Sequence, residues 1–145
     1  MKNLIDYGEK IFVAGASGMC GSAIFRKLLN QGYGKEINGG VLLTPNRKEV
    51  DLTDFNAVRS WFKLNKPTIV VFAAAKVGGI LANSTEPASF LLDNIKIQTN
   101  VIESAWLNGV KRLLFLGSSC IYPKFAAQPI EEESLLKSSL EPTNE

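Results

Sequence analysis

The chain has 145 residues, enough for one domain with its own core and too few for two ordinary ones. Its apolar fraction is 46% and its formal charge +2, a balance usual for a soluble globular protein. There is no Lys/Arg-rich run and no aromatic-studded basic stripe, so nucleic acid is a poor partner. The absence of histidine rules out imidazole catalysis and a His-based metal site. Cys20 and Cys120 form neither a disulfide framework nor a metal spacing, which fits a reducing compartment, and no metal is expected. The opening MKNLIDYGEK lacks the apolar core of a secretory leader, and the longest apolar runs are strand-length. The expectation is a cytoplasmic protein with no membrane partner.

Residues 11–14 form a short apolar strand candidate, and 22–30 (SAIFRKLLN) carry a helical apolar face. Residues 41–43 are again strand-like. Over 54–63, Phe55, Val58 and Phe62 recur at helical spacing, with Thr53 as a candidate cap. The run 68–73 is apolar throughout, as in a strand covered on both faces. Residues 87–108 read as one long helix with Pro87 in its first turn and Gly109 ending it. Residues 113–116 close the series as another buried strand, and the acidic tail from 128 to 145 reads as loop with one short helical turn. This alternation predicts an α/β fold: a Rossmann-type doubly wound parallel sheet wrapped by helices on both faces. The whole chain, 1–145, is expected to form one incomplete dinucleotide-binding domain, with 126–145 mostly loop.

The first strand runs directly into Gly15-Ala16-Ser17-Gly18-Met19-Cys20-Gly21, and a helix follows at once. In a doubly wound sheet a pyrophosphate sits at this point, because glycines admit the ligand to the backbone and the helix start offers unpaired N–H groups. The spacing G-x-x-G-x-x-G resembles the extended branch of the short-chain dehydrogenase/reductase superfamily. Cys20 is expected to pack within the turn. After the second strand the chain reads LLTPNRKEVDL, with no acid at the strand end and with Arg47 and Lys48 available. A carboxylate there would hold the ribose 2′-OH of NAD, whereas an arginine accommodates a 2′-phosphate, so NADP(H) is the expected cofactor. By the superfamily resemblance, Asp51 and Leu52 would lie beside the adenine.

Two further stretches, FAAAKVGGILANSTEP at 72–87 and LLFLGSSCIYPKFAAQPIEEESLLKSSLEPTNE at 113–145, join GASGMCGSAI in closely resembling the GDP-L-fucose synthase family. The resemblance spans about residues 10–145. It implies a two-stage reaction on GDP-4-keto-6-deoxy-D-mannose: epimerisation at C3 and C5, then reduction at C4 by NADPH to give GDP-L-fucose. Ser118 would hydrogen-bond the C4 oxygen and Cys120 would be the acid/base of epimerisation. A thiol with a pKa near about 8.5 can trade protons next to a carbonyl when its surroundings tune it. Ser119 with the Leu116-Gly117 backbone, and Ser118 itself, would line the nicotinamide end, and Ala73, Ala74 and Ala75 the floor. Lys76 is expected to face the same pocket.

The family continues beyond EPTNE into a Tyr-x-x-x-Lys motif, an acid/base histidine and a nucleotide-sugar domain. The resemblance therefore implies an N-terminal, cofactor-binding portion, inactive alone for want of the C4 proton donor; Tyr122 is no substitute, since no lysine stands four residues on. It also implies a homodimer through the 87–108 helix, built as a four-helix bundle. Two alternatives stay open: another sugar-nucleotide epimerase or dehydratase, against which Cys120 argues, and a non-catalytic NADP-binding module.

Overall fold

A computed structural model describes residues 5–144; residues 1–4 of the opening stretch and Glu145 of the acidic tail lie outside it. Four parallel strands, β1 (Lys10–Ala14), β2 (Val41–Leu43), β3 (Ile69–Phe72) and β4 (Arg112–Phe115), form one sheet in the order β2-β1-β3-β4. Four helices accompany them: α1 (Met19–Asn30), α2 (Phe55–Asn65), α3 (Ile80–Thr85) and α4 (Pro87–Leu107). None is long and apolar enough to cross a membrane.

Two compact units emerge. The first comprises residues 1–77 and 87–116, and contains the whole sheet with α1, α2 and α4. Its strands alternate strictly. Phe12, Ala14, Val70 and Phe72 face α2 and α4, meeting Val58, Phe62, Val101 and Ala105. Ile11, Val13, Ile69 and Val71 face the other way, toward Leu28 of α1 and Tyr33. With both faces of β1 and β3 covered, every residue of β3 is buried, which is why that strand reads as an unbroken apolar run.

The differences from expectation have local causes. Helix α1 starts three residues earlier than its apolar face suggests, inside the glycine turn, with Gly18 as its N-cap. Asp54, not Thr53, caps α2: its carboxylate accepts from Ala57 N–H at 3.0 Å, while Thr53 is drawn to Asp51. Strand β3 is one residue shorter at each end than 68–73, although Thr68 N–H still donates to the Lys10 carbonyl at 2.9 Å and Ala73 N–H to the Ala14 carbonyl at 3.0 Å. Strand β4 begins and ends one residue before 113–116, and it is not buried. It forms the sheet edge, Leu114 and Phe115 are exposed, and only Leu113 packs into a core cluster.

The second unit comprises residues 78–86 and 117–145. It holds α3, which the sequence reading missed, and three single 3₁₀ turns at Ser119–Ile121, Glu132–Ser134 and Pro142–Asn144. The tail thus has two helical turns where one was expected. Lys124 ties it together, its N–H donating to the Ser139 carbonyl at 3.1 Å and its ammonium pairing with Glu141 at 2.8 Å.

Candidate functional site

The sheet order makes β1 and β3 the point where chain connections reverse direction, since β2 lies to one side and β4 to the other. A crevice opens outside the carboxyl ends of strands at such a point. Here it is a cleft of about 600 Å³ lined by the segments that leave β1, β2 and β3.

The β1 segment supplies Gly15, Ser17, Gly18, Met19 and Cys20. Gly15 has φ +81°, and a Cβ there would stand 2.6 Å from the Ala73 carbonyl oxygen, so only glycine fits between the two strand exits. Gly18 N–H donates to the Gly15 carbonyl at 2.9 Å and closes the turn. No side chain caps α1, leaving its first-turn N–H groups for a ligand. A bare backbone cradle beneath an uncapped twelve-residue helix is what a diphosphate requires, so the residues present fit that group. Gly21 lies below the turn and does not line the cleft; Ala16 does not line it either. Cys20 is exposed on the cleft wall, so the packing role expected of it is wrong.

The β2 segment supplies Pro45, Asn46, Arg47, Val50, Asp51, Leu52 and Thr53. Its local bonding decides which charges are available. Glu49 spends one carboxylate oxygen on Asn46, accepting from the backbone N–H at 2.7 Å and from Nδ2 at 2.6 Å. Asp51 accepts from Thr53 N–H at 2.9 Å and from its hydroxyl at 2.8 Å, and lies 3.6 Å from Arg47. Those Thr53 bonds, backbone first, and then the Arg47 charge hold the Asp51 carboxyl below its ordinary range. Both acids are thus committed within the loop. Arg47 itself is 83% exposed in its side chain and held only by that one long contact.

The β3 segment supplies Ala73, Ala74, Ala75, Lys76 and Val77. Lys76 does face the cleft, as expected, yet its charge is consumed: Nζ donates to Ser89 Oγ at 2.6 Å and to Asp93 at 2.9 Å. Asp93 is held below the usual carboxylate range by this bond. A smaller cavity of about 120 Å³ adjoins Ala74 and Ala75 and is lined by Leu116, Phe115, Asn94 and Gln98. Leu116 therefore borders a cavity next to the predicted floor, not the main cleft.

Gly117, Ser118, Ser119 and Cys120 belong to the second unit. Ser118 caps the Ser119–Ile121 turn by accepting from Cys120 N–H at 3.2 Å, which leaves its own hydroxyl proton free to be donated elsewhere. Ser118, Ser119 and Cys120 are all exposed.

Sequence reasoning missed the contribution of α4, whose Asp93 and Ile97 line the cleft. A signal was there: Asp93, Asn94 and Asn100 stand beside the apolar Leu92, Ile95 and Val101 of the helix, and polar groups set among apolar ones need partners.

Comparison with known proteins agrees with this geometry. The model of the "NAD dependent epimerase/dehydratase family" matches residues 11–145. The chain belongs to that family. Within it, "GDP-L-fucose synthase 1" of Arabidopsis thaliana is 56% identical over 145 residues, covering 100% of this chain and 43% of that protein. Among solved structures, "MlghC, GDP-mannoheptose C4 reductase from Campylobacter jejuni with NADP bound" superposes with TM-score 0.83 at 37% identity, covering 96% of this chain and 42% of the other. A "gdp-l-fucose synthetase from Naegleria fowleri bound to NADP" gives 0.81 at 28% identity, covering 97% and 40%. This epimerase-family chain thus spans about two-fifths of the relatives it matches.

Proposed function

We propose that this chain binds NADP(H) in the cleft between β1 and β3 and is the cofactor-binding portion of an enzyme that converts GDP-4-keto-6-deoxy-D-mannose to GDP-L-fucose. The carrying observation is the cradle itself: Gly15 and Gly18 beneath an uncapped α1, at the point where the sheet's connections reverse. The 56% identity to the Arabidopsis synthase and the two NADP-bound neighbours support the substrate and the cofactor. Arg47 is the group for the 2′-phosphate, because both acids on its wall are already bonded and its own contact is weak. Leu52 and Asp51 flank the adenine, and Ala73, Ala74 and Ala75 leave room for the dinucleotide over the strand ends.

When bound, NADPH supplies the hydride for C4 of the keto sugar. Ser118 donates its free proton as a hydrogen bond to the C4 oxygen, drawing electron density from the carbonyl. That polarisation also acidifies C3 and C5, where Cys120 serves as the acid/base on one face. Inversion of each centre also takes a second acid/base on the opposite face, the role of the histidine that the family resemblance implies. These 145 residues contain no Tyr-x-x-x-Lys and no histidine, so the oxygen formed at C4 has no proton donor within them, and turnover by the chain alone is negligible. The exposed apolar line Leu91, Ile95, Ile102 and Trp106 along α4 supports pairing of two copies through that helix.

Titration of the purified chain with NADPH and NADH, by fluorescence or calorimetry, tests the reading. Tighter binding of NADPH, with no NADPH consumed on adding the keto sugar, is expected. Preference for NADH would overturn the role of Arg47, and binding of neither would overturn the cofactor site.

A further inference from the structure

The cleft is walled by two irregular segments, one leaving β2 and one leaving β3. Irregular backbone at a ligand site needs outside support to keep its shape. Both segments obtain it from α4. On the β3 side, the Asn94 amide closes on the main chain of Lys76, accepting from its N–H at 2.8 Å and donating to its carbonyl at 2.9 Å. The Lys76 side chain returns to the same helix through Ser89 and Asp93 and lies 5.0 Å from the Phe90 ring centroid. On the β2 side, Asn100 is 8% exposed and donates to the Leu52 carbonyl at 2.9 Å. Leu52 and Lys76 line the cleft, whereas Asn100 does not, so it acts on the site only through the wall it holds.

The start of α1 follows β1, which stands between β2 and β3 in the sheet. A dinucleotide centred there by its diphosphate would lay one half against each wall. We propose that Asn100 and Asn94 are positioning residues acting on opposite halves of the cofactor. Asn100 fixes the wall against the adenosine half and Asn94 the wall against the nicotinamide half. The inference rests on the NADP(H) reading of the cleft.

The test uses 2′,5′-ADP, which carries only the adenosine half, beside NADPH. Calorimetric affinities are measured for the wild-type chain, Asn100→Ser and Asn94→Ser. Hydrogen exchange is followed over 45–54 and 73–77. Losing one such bond is worth about fivefold in affinity. Asn100→Ser is expected to weaken both ligands by about that factor and to speed exchange only over 45–54. Asn94→Ser is expected to weaken NADPH alike, leave 2′,5′-ADP within about twofold, and speed exchange only over 73–77. A purely structural role would give equal changes for both ligands in Asn94→Ser, faster exchange over both segments in either variant, or no change in affinity, and each of these results overturns the inference. Should Asn100→Ser not fold, the split in the half-exposed Asn94→Ser variant decides alone: equal loss of the two ligands overturns it. A wild-type chain that binds neither ligand refutes the cofactor reading and the inference together, whereas binding without a split refutes the inference only.

Discussion

A Cβ on Gly21 would stand 2.1 Å from the carbonyl oxygen of Gly15. The third glycine of the turn therefore lets α1 sit on the exit of β1, while the first lets the exits of β1 and β3 pass close together. At Gly18 the same construction finds the nearest atom at 3.3 Å, a contact that a small shift relieves. The three glycines should fail differently. Gly15→Ala and Gly21→Ala are expected to lose about 2 kcal/mol or more, since backbone must move to make room. Gly18→Ala should cost under about 1 kcal/mol in chemical unfolding and yet weaken NADPH, because its Cβ enters the cradle. Equal stability losses in all three would refute this assignment of roles.

Arg47 offers a cleaner separation, because its side chain is mostly in water and supports little of the fold. A hydrogen-bonded charge pair with a 2′-phosphate is worth about 1.5–3 kcal/mol. Arg47→Ala is accordingly expected to weaken NADPH by roughly ten- to a hundredfold while leaving NADH unchanged. Parallel titrations with the two cofactors check it, and an equal loss for both would assign Arg47 a different task.

The sheet was legible because its apolar runs have a direct physical cause. Ile69–Phe72 is buried on both faces, so no polar residue interrupts it, and the glycine turn is marked at Gly15 and Gly21 by the only residue type that fits. What stayed hidden depended on which groups meet in the fold. Leu113 and Leu114 are equally apolar, yet Leu114 is 56% exposed, because no element of the first unit covers that face of the edge strand. Asp54 displaced Thr53 as the α2 cap because Asp51 had already engaged Thr53, a competition that propensities taken singly do not show. Likewise Asn100 reveals its purpose only once the Leu52 carbonyl, 48 residues away, is seen beside it.

Ser104 is fully buried in α4, and its hydroxyl has no hydrogen-bond partner among the described residues. A buried, unsatisfied polar atom costs about 1–3 kcal/mol, and alanine fills nearly the same space without it. Ser104→Ala is expected to raise the unfolding free energy by about 1 kcal/mol, an effect that alanine's higher helix propensity reinforces. Chemical denaturation measures it directly. A destabilised variant would mean that the hydroxyl has a partner in solution.

At the end of the sheet away from the cleft, Lys111 Nζ donates to Glu9 at 2.8 Å and joins the segment before β1 to the one before β4. This bond, and after it the influence of the Thr68 hydroxyl, holds the Glu9 carboxyl below its ordinary value of 4.5. A carboxyl whose folded-state value is depressed contributes stability that is fully present above its unfolded value and is lost as pH falls through the folded one. Because Lys111 is largely in water, the pair is worth only about 0.2–1 kcal/mol. Glu9→Gln is therefore expected to be less stable than wild type by that amount near neutral pH. The gap should be constant down to about pH 4.5 and close in more acidic solution. Urea unfolding of both proteins across this range, at low salt, reads the difference; a gap that widened on acidification would contradict the assigned direction of the shift.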